Sequence, residues 1–215
     1  MMPLPPDSQE LVKIISELVA GLAQKWEAFV TALQQPNSPG APSWPPYRSQ
    51  WDEDGNMRNS DCGPTCVAML LEQRGQIVPI NQLAREAAMD THPTYTLPQD
   101  LINCAAAHGL PVARALGLTI DRLRAETLVG RPVIVLVHYG TLHGLPTQDR
   151  KFSAGHWLVV VAIDDRSVIV HDPNWRGTER AKGAGLAIPI KLFEQAMEDC
   201  RIDRNTARQG LIIVS

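Results

Sequence analysis

With 215 residues, 23.6 kDa, 44% hydrophobic and 20% charged residues, the chain can bury one substantial core and still carry an appendage. Its net charge of -3 and pI near 6.1 supply no basic field, which excludes nucleic acid and anionic membrane as partners held by bulk charge. MMPLPPDSQE has no basic n-region, and Lys13, Glu17, Gln24 and Lys25 interrupt the apolar positions after it. No stretch reaches the ~20 apolar residues of a membrane span, so the expected location is cytoplasmic.

Leu11, Ile15, Leu18, Leu22, Trp26, Phe29 and Leu33 recur at steps of three and four, which predicts a long amphipathic helix within residues 1–35, with Asp7 and Glu10 as a capping box. Docking onto the domain or onto a second copy would cover its apolar stripe, the basis for expecting self-docking or a homo-oligomer. PNSPGAPSWPPY holds five prolines and no hydrophobic period, so residues 36–47 read as a linker and a domain begins at 48. Helices are expected at 62–73, 80–89, 98–108, 119–127 and 190–199, and strands at 132–139, 156–163, 167–172 and 210–215. Helices first and a mostly antiparallel sheet second make an α+β layout.

Cys62 opens the first domain helix in SDCGPTCVAMLL. A thiol in the first turn faces unpaired backbone N–H groups and the positive end of the helix dipole, which favour the reactive thiolate. Asp61 or Ser60 is placed to cap, and Pro64 suits a first turn because its missing N–H costs nothing there. Small cysteines also pack at helix starts, so a base has to be found. His156 opens GHWLVVVAI, and the next strand, SVIVHDP, follows through Asp164-Asp165-Arg166, so the two form an antiparallel hairpin. Folding it about Asp164 sets His156 opposite Asp172, give or take one residue, on one sheet face. An imidazole beside a carboxylate is the base and orienter that a nucleophile requires.

The stretches DCGPTCVAMLL, GHWLVVVAIDD and VIVHDPNW closely resemble the papain-like cysteine peptidases of the bacteriocin-processing, double-glycine-leader type and their freestanding relatives. The resemblance covers residues 48–215. It implies a papain-like fold in which Cys62 is the nucleophile, His156 the general base and acid, and Asp172 the orienting carboxylate. It also implies a glutamine upstream of the cysteine for the oxyanion hole. Gln50 is preferred and Asn56 is the alternative, because the gap from Gln50 to Cys62 is longer than the family spacing. The implied partner is a peptide or protein substrate. The same acyl-enzyme chemistry serves deamidases, transpeptidases and cell-wall amidases, and a silent site on this fold would leave a binding protein.

No metal or cofactor is expected. Asp52, Asp54 and Asn56 alternate as a calcium loop begins, yet the glycine is misplaced at Gly55 and no twelfth-position glutamate follows, which makes a solvated acidic turn the better reading. Cys62 and Cys66 lack a second pair at zinc spacing. Cys66, Cys104 and Cys200 read as structural thiols, His171 as facing away from Asp172, and His138 and His143 as flanking the 140–155 loop.

Overall fold

The computed structural model describes residues 13, 16, 21, 43–55, 59–87, 95–145, 151–201 and 206–214. The expected N-terminal helix lies outside them, apart from Lys13, Ser16 and Gly21, which are helical. The chain divides into two units, Met1–Ser43 and Trp44–Ser215. Residues 44–47, assigned to the linker by composition, pack within the second unit: the rings of Trp44 and Tyr47 meet His171 edge-on, at 6.0 and 5.7 Å.

The second unit begins with three helices, α1 (Cys62–Gln73), α2 (Ile80–Glu86) and α3 (Pro98–Ala107). After them come β1 (Val112–Ala115), α4 (Ile120–Leu128), β2 (Val133–His138), β3 (Gly155–Ile163), β4 (Ser167–His171), β5 (Leu186–Pro189), α5 (Ile190–Asp199) and β6 (Gly210–Ile213). The six strands form one sheet in the order β1-β6-β2-β3-β4-β5, every pairing antiparallel. β1 and β5 were not expected from sequence. Both are four-residue edge strands, one with two alanines and an arginine, the other ending in proline, and an edge asks for little strand propensity.

Helices cover both faces, which explains why β2 and β3 read as continuous apolar runs rather than alternating ones. Ile134, Leu136, Trp157 and Val159 join the core built on α1 to α3, while Val133, Val135, Val137, Leu158 and Val160 join the core built on α4 and α5. In α1 every residue from Cys66 to Leu71 is at most 1% exposed, so this helix runs through the interior and not along the surface.

Candidate active site

α1 starts at Cys62 with no side-chain cap, which corrects the expectation for Asp61 or Ser60. Asp61 is fully buried, and its Oδ2 lies toward the turn at Gly55. Its carbonyl accepts the N–H of Thr65 at 2.9 Å, Pro64 has no N–H, and the Asp61 side chain caps none of the first-turn amides. Cys62 itself is half-buried.

The β3–β4 hairpin turns on Asp164, whose Oδ1 accepts from the N–H groups of Arg166 and Ser167, each at 2.7 Å. Its register differs from the simple fold about this turn. Ile163 pairs with Val168, but a bulge between Val160 and Ala162 shifts the ladder by one, so that Val159 pairs with His171. Continued, that register sets His156 opposite Asn174, and Asp172 stands diagonally two positions away on the same face. The contact is made all the same: His156 Nε2 and Asp172 Oδ1 lie 2.8 Å apart.

Asp172 is 1% exposed, and each of its oxygens takes two donors. Oδ1 accepts from His156 and from the backbone N–H of Asn174 at 2.9 Å. Oδ2 accepts from the Tyr139 hydroxyl and from Trp175 Nε1, both at 3.0 Å. Its carbonyl receives the Tyr47 hydroxyl at 2.9 Å. The sequence analysis did not single out Tyr139. The signal was present in the β2–β3 pairing, because Val137 faces His156 and Tyr139, two residues on, shares that face. The Tyr139 and His156 rings meet edge-on at 4.7 Å.

His156 is buried, and burial alone disfavours the imidazolium. The charge of a Cys62 thiolate, the hydrogen bonds to Asp172 and Cys62 and the Asp172 charge outweigh it, and the His156 pKa is pushed up to about 10. With Nε2 committed to Asp172, Nδ1 is the nitrogen left for Cys62.

Gln50 is 3% exposed and lines a cleft of about 300 Å³ with His156, Trp51, Asn59, Lys151, Phe152 and Asn174. Its N–H donates to Pro173 O at 3.0 Å, tying the segment before the cysteine to the loop after Asp172. Asn56 lies outside the described residues. The extra length between Gln50 and Cys62 folds into turns, Asp52 N to Ser49 O and Gly55 N to Asp52 O, each 3.0 Å. The carboxylates of this loop are used internally, a correction to the solvated turn: Asp52 pairs with Arg180 at 2.7 Å, and Asp54 pairs with Arg48 at 2.6 Å while accepting the N–H of Ile80 at the start of α2. Among the described residues no group of acids, histidines and cysteines is placed to hold a metal ion.

A second cleft, of about 450 Å³, holds Cys62 with Tyr95, Thr96, Leu136, Trp157 and Cys200 among its walls. Cys66 and Cys104 are core thiols, and burial pushes Cys66 well up and Cys104 up to about 12. Cys200 stands in the wall of the Cys62 cleft, pushed up to about 11 by burial. His171 faces the other way: Nε2 donates to Pro45 O at 2.9 Å and Nδ1 accepts from Gly185 N at 3.0 Å. His138 bonds Thr141 and His143 bonds Phe152 O, and neither lines these two clefts.

No curated protein matches the sequence. Among solved structures, the chain is similar to the peptidase domain of Streptococcus ComA, a bi-functional ABC transporter involved in a quorum sensing pathway. The TM-score is 0.52 at 15% identity, over 79% of this chain and 98% of that one. It is similar also to a Bacillus anthracis protein proposed as a C39-like peptidase, with a TM-score of 0.53 at 17% identity over 79% and 94%. These likenesses identify the fold as that of the papain-like cysteine peptidases. Residues 45–193 match the description of one family across well over half of the sequence. The chain belongs to the Peptidase_C39 like family.

Proposed function

We propose that the protein is a cysteine peptidase that cuts a peptide bond through Cys62, His156 and Asp172, with a peptide or protein as substrate. The observation that carries this is the buried bond of 2.8 Å between His156 and Asp172, on an imidazole whose charged form a Cys62 thiolate favours. The Cys62 thiolate attacks the carbonyl carbon, and a C–S bond forms as the carbonyl electrons move to oxygen. The oxyanion is received by the Cys62 N–H at the uncapped helix start and by the Gln50 carboxamide. The His156 imidazolium gives its proton to the nitrogen as the C–N bond breaks, and the amine leaves. Water then attacks the thioester as His156 takes its proton, and the C–S bond breaks to release the acid and the Cys62 thiolate. Asp172 keeps the ring turned so that Nδ1 serves Cys62 throughout.

Alkylation by iodoacetamide, read at each cysteine by peptide mass spectrometry from about pH 5 to about pH 9, tests the pair without a known substrate. The expected result is fast labelling of Cys62 below pH 7 that is lost in His156→Ala, with Cys66, Cys104 and Cys200 slow throughout. Equal, slow labelling of all four in the wild type would overturn the reading.

A further inference from the structure

Strand β3 serves both clefts of the proposed site. Gly155 and Trp157, which share one face of the strand, line the larger cleft with Cys62, and His156, on the other face, lines the smaller one with Gln50. In an acyl transfer the departing nitrogen must be within reach of the imidazolium, so the leaving segment runs into the His156 cleft and the acyl segment lies along the larger one. The residue whose carbonyl is attacked then sits where the clefts join, at Asn59 and Phe152, which belong to both. The residue before it, about 3.3 Å further along an extended chain, is the one left to fill the larger cleft. This placement rests on the peptidase reading above.

Glycine in a strand gives up entropy and side-chain packing, and it often marks the close approach of a ligand or another backbone. At Gly155 neither the backbone nor the packing asks for it. Its φ is not positive, and a Cβ built there would meet Cys200 Sγ at 3.4 Å and Leu136 Cδ1 at 3.5 Å, both ordinary contacts. Gly210 in β6 differs, because Ile134 O lies 2.5 Å from where its Cβ would stand. Leu136 and Cys200 are walls of the larger cleft, so a side chain at position 155 would grow into that cleft.

The other walls suit an apolar guest. Leu136, Trp157 and Cys200 are buried, Leu97 is half-buried and the Tyr95 ring is exposed. No carboxylate is among the described lining residues, and the Arg201 guanidinium is paired with Glu198. A volume of about 450 Å³ gives room for a large side chain, whose apolar surface leaves water as it enters. We propose that Gly155 sets the specificity of the acyl side: by carrying no side chain it keeps this cleft open for a bulky apolar residue, Leu or Phe, at the second position before the cut.

The test uses the full-length protein and a series of N-acetyl-X-glycyl chloromethyl ketones with X as Gly, Ala, Leu or Phe, which put X at that second position by construction. The Cys62 thiolate displaces chloride, a C–S bond forming as the C–Cl bond breaks, and the rate is read at Cys62 by peptide mass spectrometry. Leu and Phe are expected to label about 10- to 200-fold faster than Gly. Gly155→Ala lowers that ratio and Gly155→Val removes it, whereas Cys200→Ala, which widens the cleft, raises Phe relative to Leu. Ratios taken within one variant cancel any general loss of reactivity. Fast iodoacetamide labelling of Cys62 with no preference among the four ketones, or a preference that Gly155→Val leaves unchanged, would overturn this inference and leave the peptidase reading standing. Slow iodoacetamide labelling of Cys62 would overturn the peptidase reading and this inference with it.

Discussion

Asp172 is a carboxylate 1% exposed, and taking such a group out of water is costly unless each oxygen is bonded. Four donors meet that requirement. Tyr139→Phe removes one donor from Oδ2 while keeping the ring that packs on His156. A hydrogen bond to a charged group is worth about 1.5–3 kcal/mol, and 1.4 kcal/mol is about tenfold in rate. The variant should fold normally, lose about 10- to 100-fold in peptide hydrolysis and label more slowly at Cys62 below pH 7. A labelling profile identical to wild type would mean that Trp175 holds Oδ2 unaided. The raised His156 pKa also has a sign. The proton needed by the leaving amine stays on the ring until the pH nears about 10, so the alkaline fall in kcat/KM should lie far above the 6.5 of an ordinary imidazole. Asp172→Asn should bring that limb down.

The loop between β4 and β5, which includes the 3₁₀ helix Gly177–Gly183, closes over Asp172 from behind. A Cβ at Gly183 would collide with the Tyr47 hydroxyl and the Asp172 carbonyl and lie 2.8 Å from Trp175 Cδ1. Gly183→Ala should therefore cost about 1–3 kcal/mol in urea unfolding and also slow Cys62 labelling, since the atoms displaced are those that fix Asp172. Gly144→Ala, with nothing within 4 Å, is the control and should change neither. The elements themselves divide by how loudly they are written. α1 and the strands β2 and β3 are long apolar runs bounded by turn residues, and their expected limits fell within a residue of the observed ones. β1 and β5 went unseen because a short edge strand pairs on one side only. The bulge in β3 left no mark at all, since VVVAI reads the same with one residue out of the ladder.

Seen whole, the second unit is a sheet with helices on both faces, and the segment from Trp44 to Tyr47 is fastened to it through His171. Burial pushes the His171 pKa down, and its Nδ1 is an acceptor for Gly185 N, so the native state holds this ring neutral. Between about 6.5 and the lower native value the unfolded chain binds more protons, and the linkage then requires stability to fall as pH drops through that window. Urea unfolding from about pH 5 to about pH 7.5 should show this fall, and it should be shallower in His171→Phe, which is less stable at neutral pH because two bonds are lost. An equal slope in both proteins would place the acid sensitivity elsewhere.

Local pattern was enough to reveal the helix led by Cys62, the strand opened by His156 and the acid that follows the next strand, because periods of 3.6 and 2 and the chemistry of turns act over a few residues. Four remote facts belong to the folded molecule alone. These are the diagonal meeting of His156 and Asp172 across a bulged ladder, the grip of Tyr139 and Trp175 on one oxygen, the internal pairing of Asp52 and Asp54, and the division of the site into two clefts. Each depends on groups brought together from distant parts of the chain, as with Tyr139 and Asp172, 33 residues apart, or Arg180 and Asp52, 128 apart. Their geometry comes from sheet register and helix packing, which no local run of residues records.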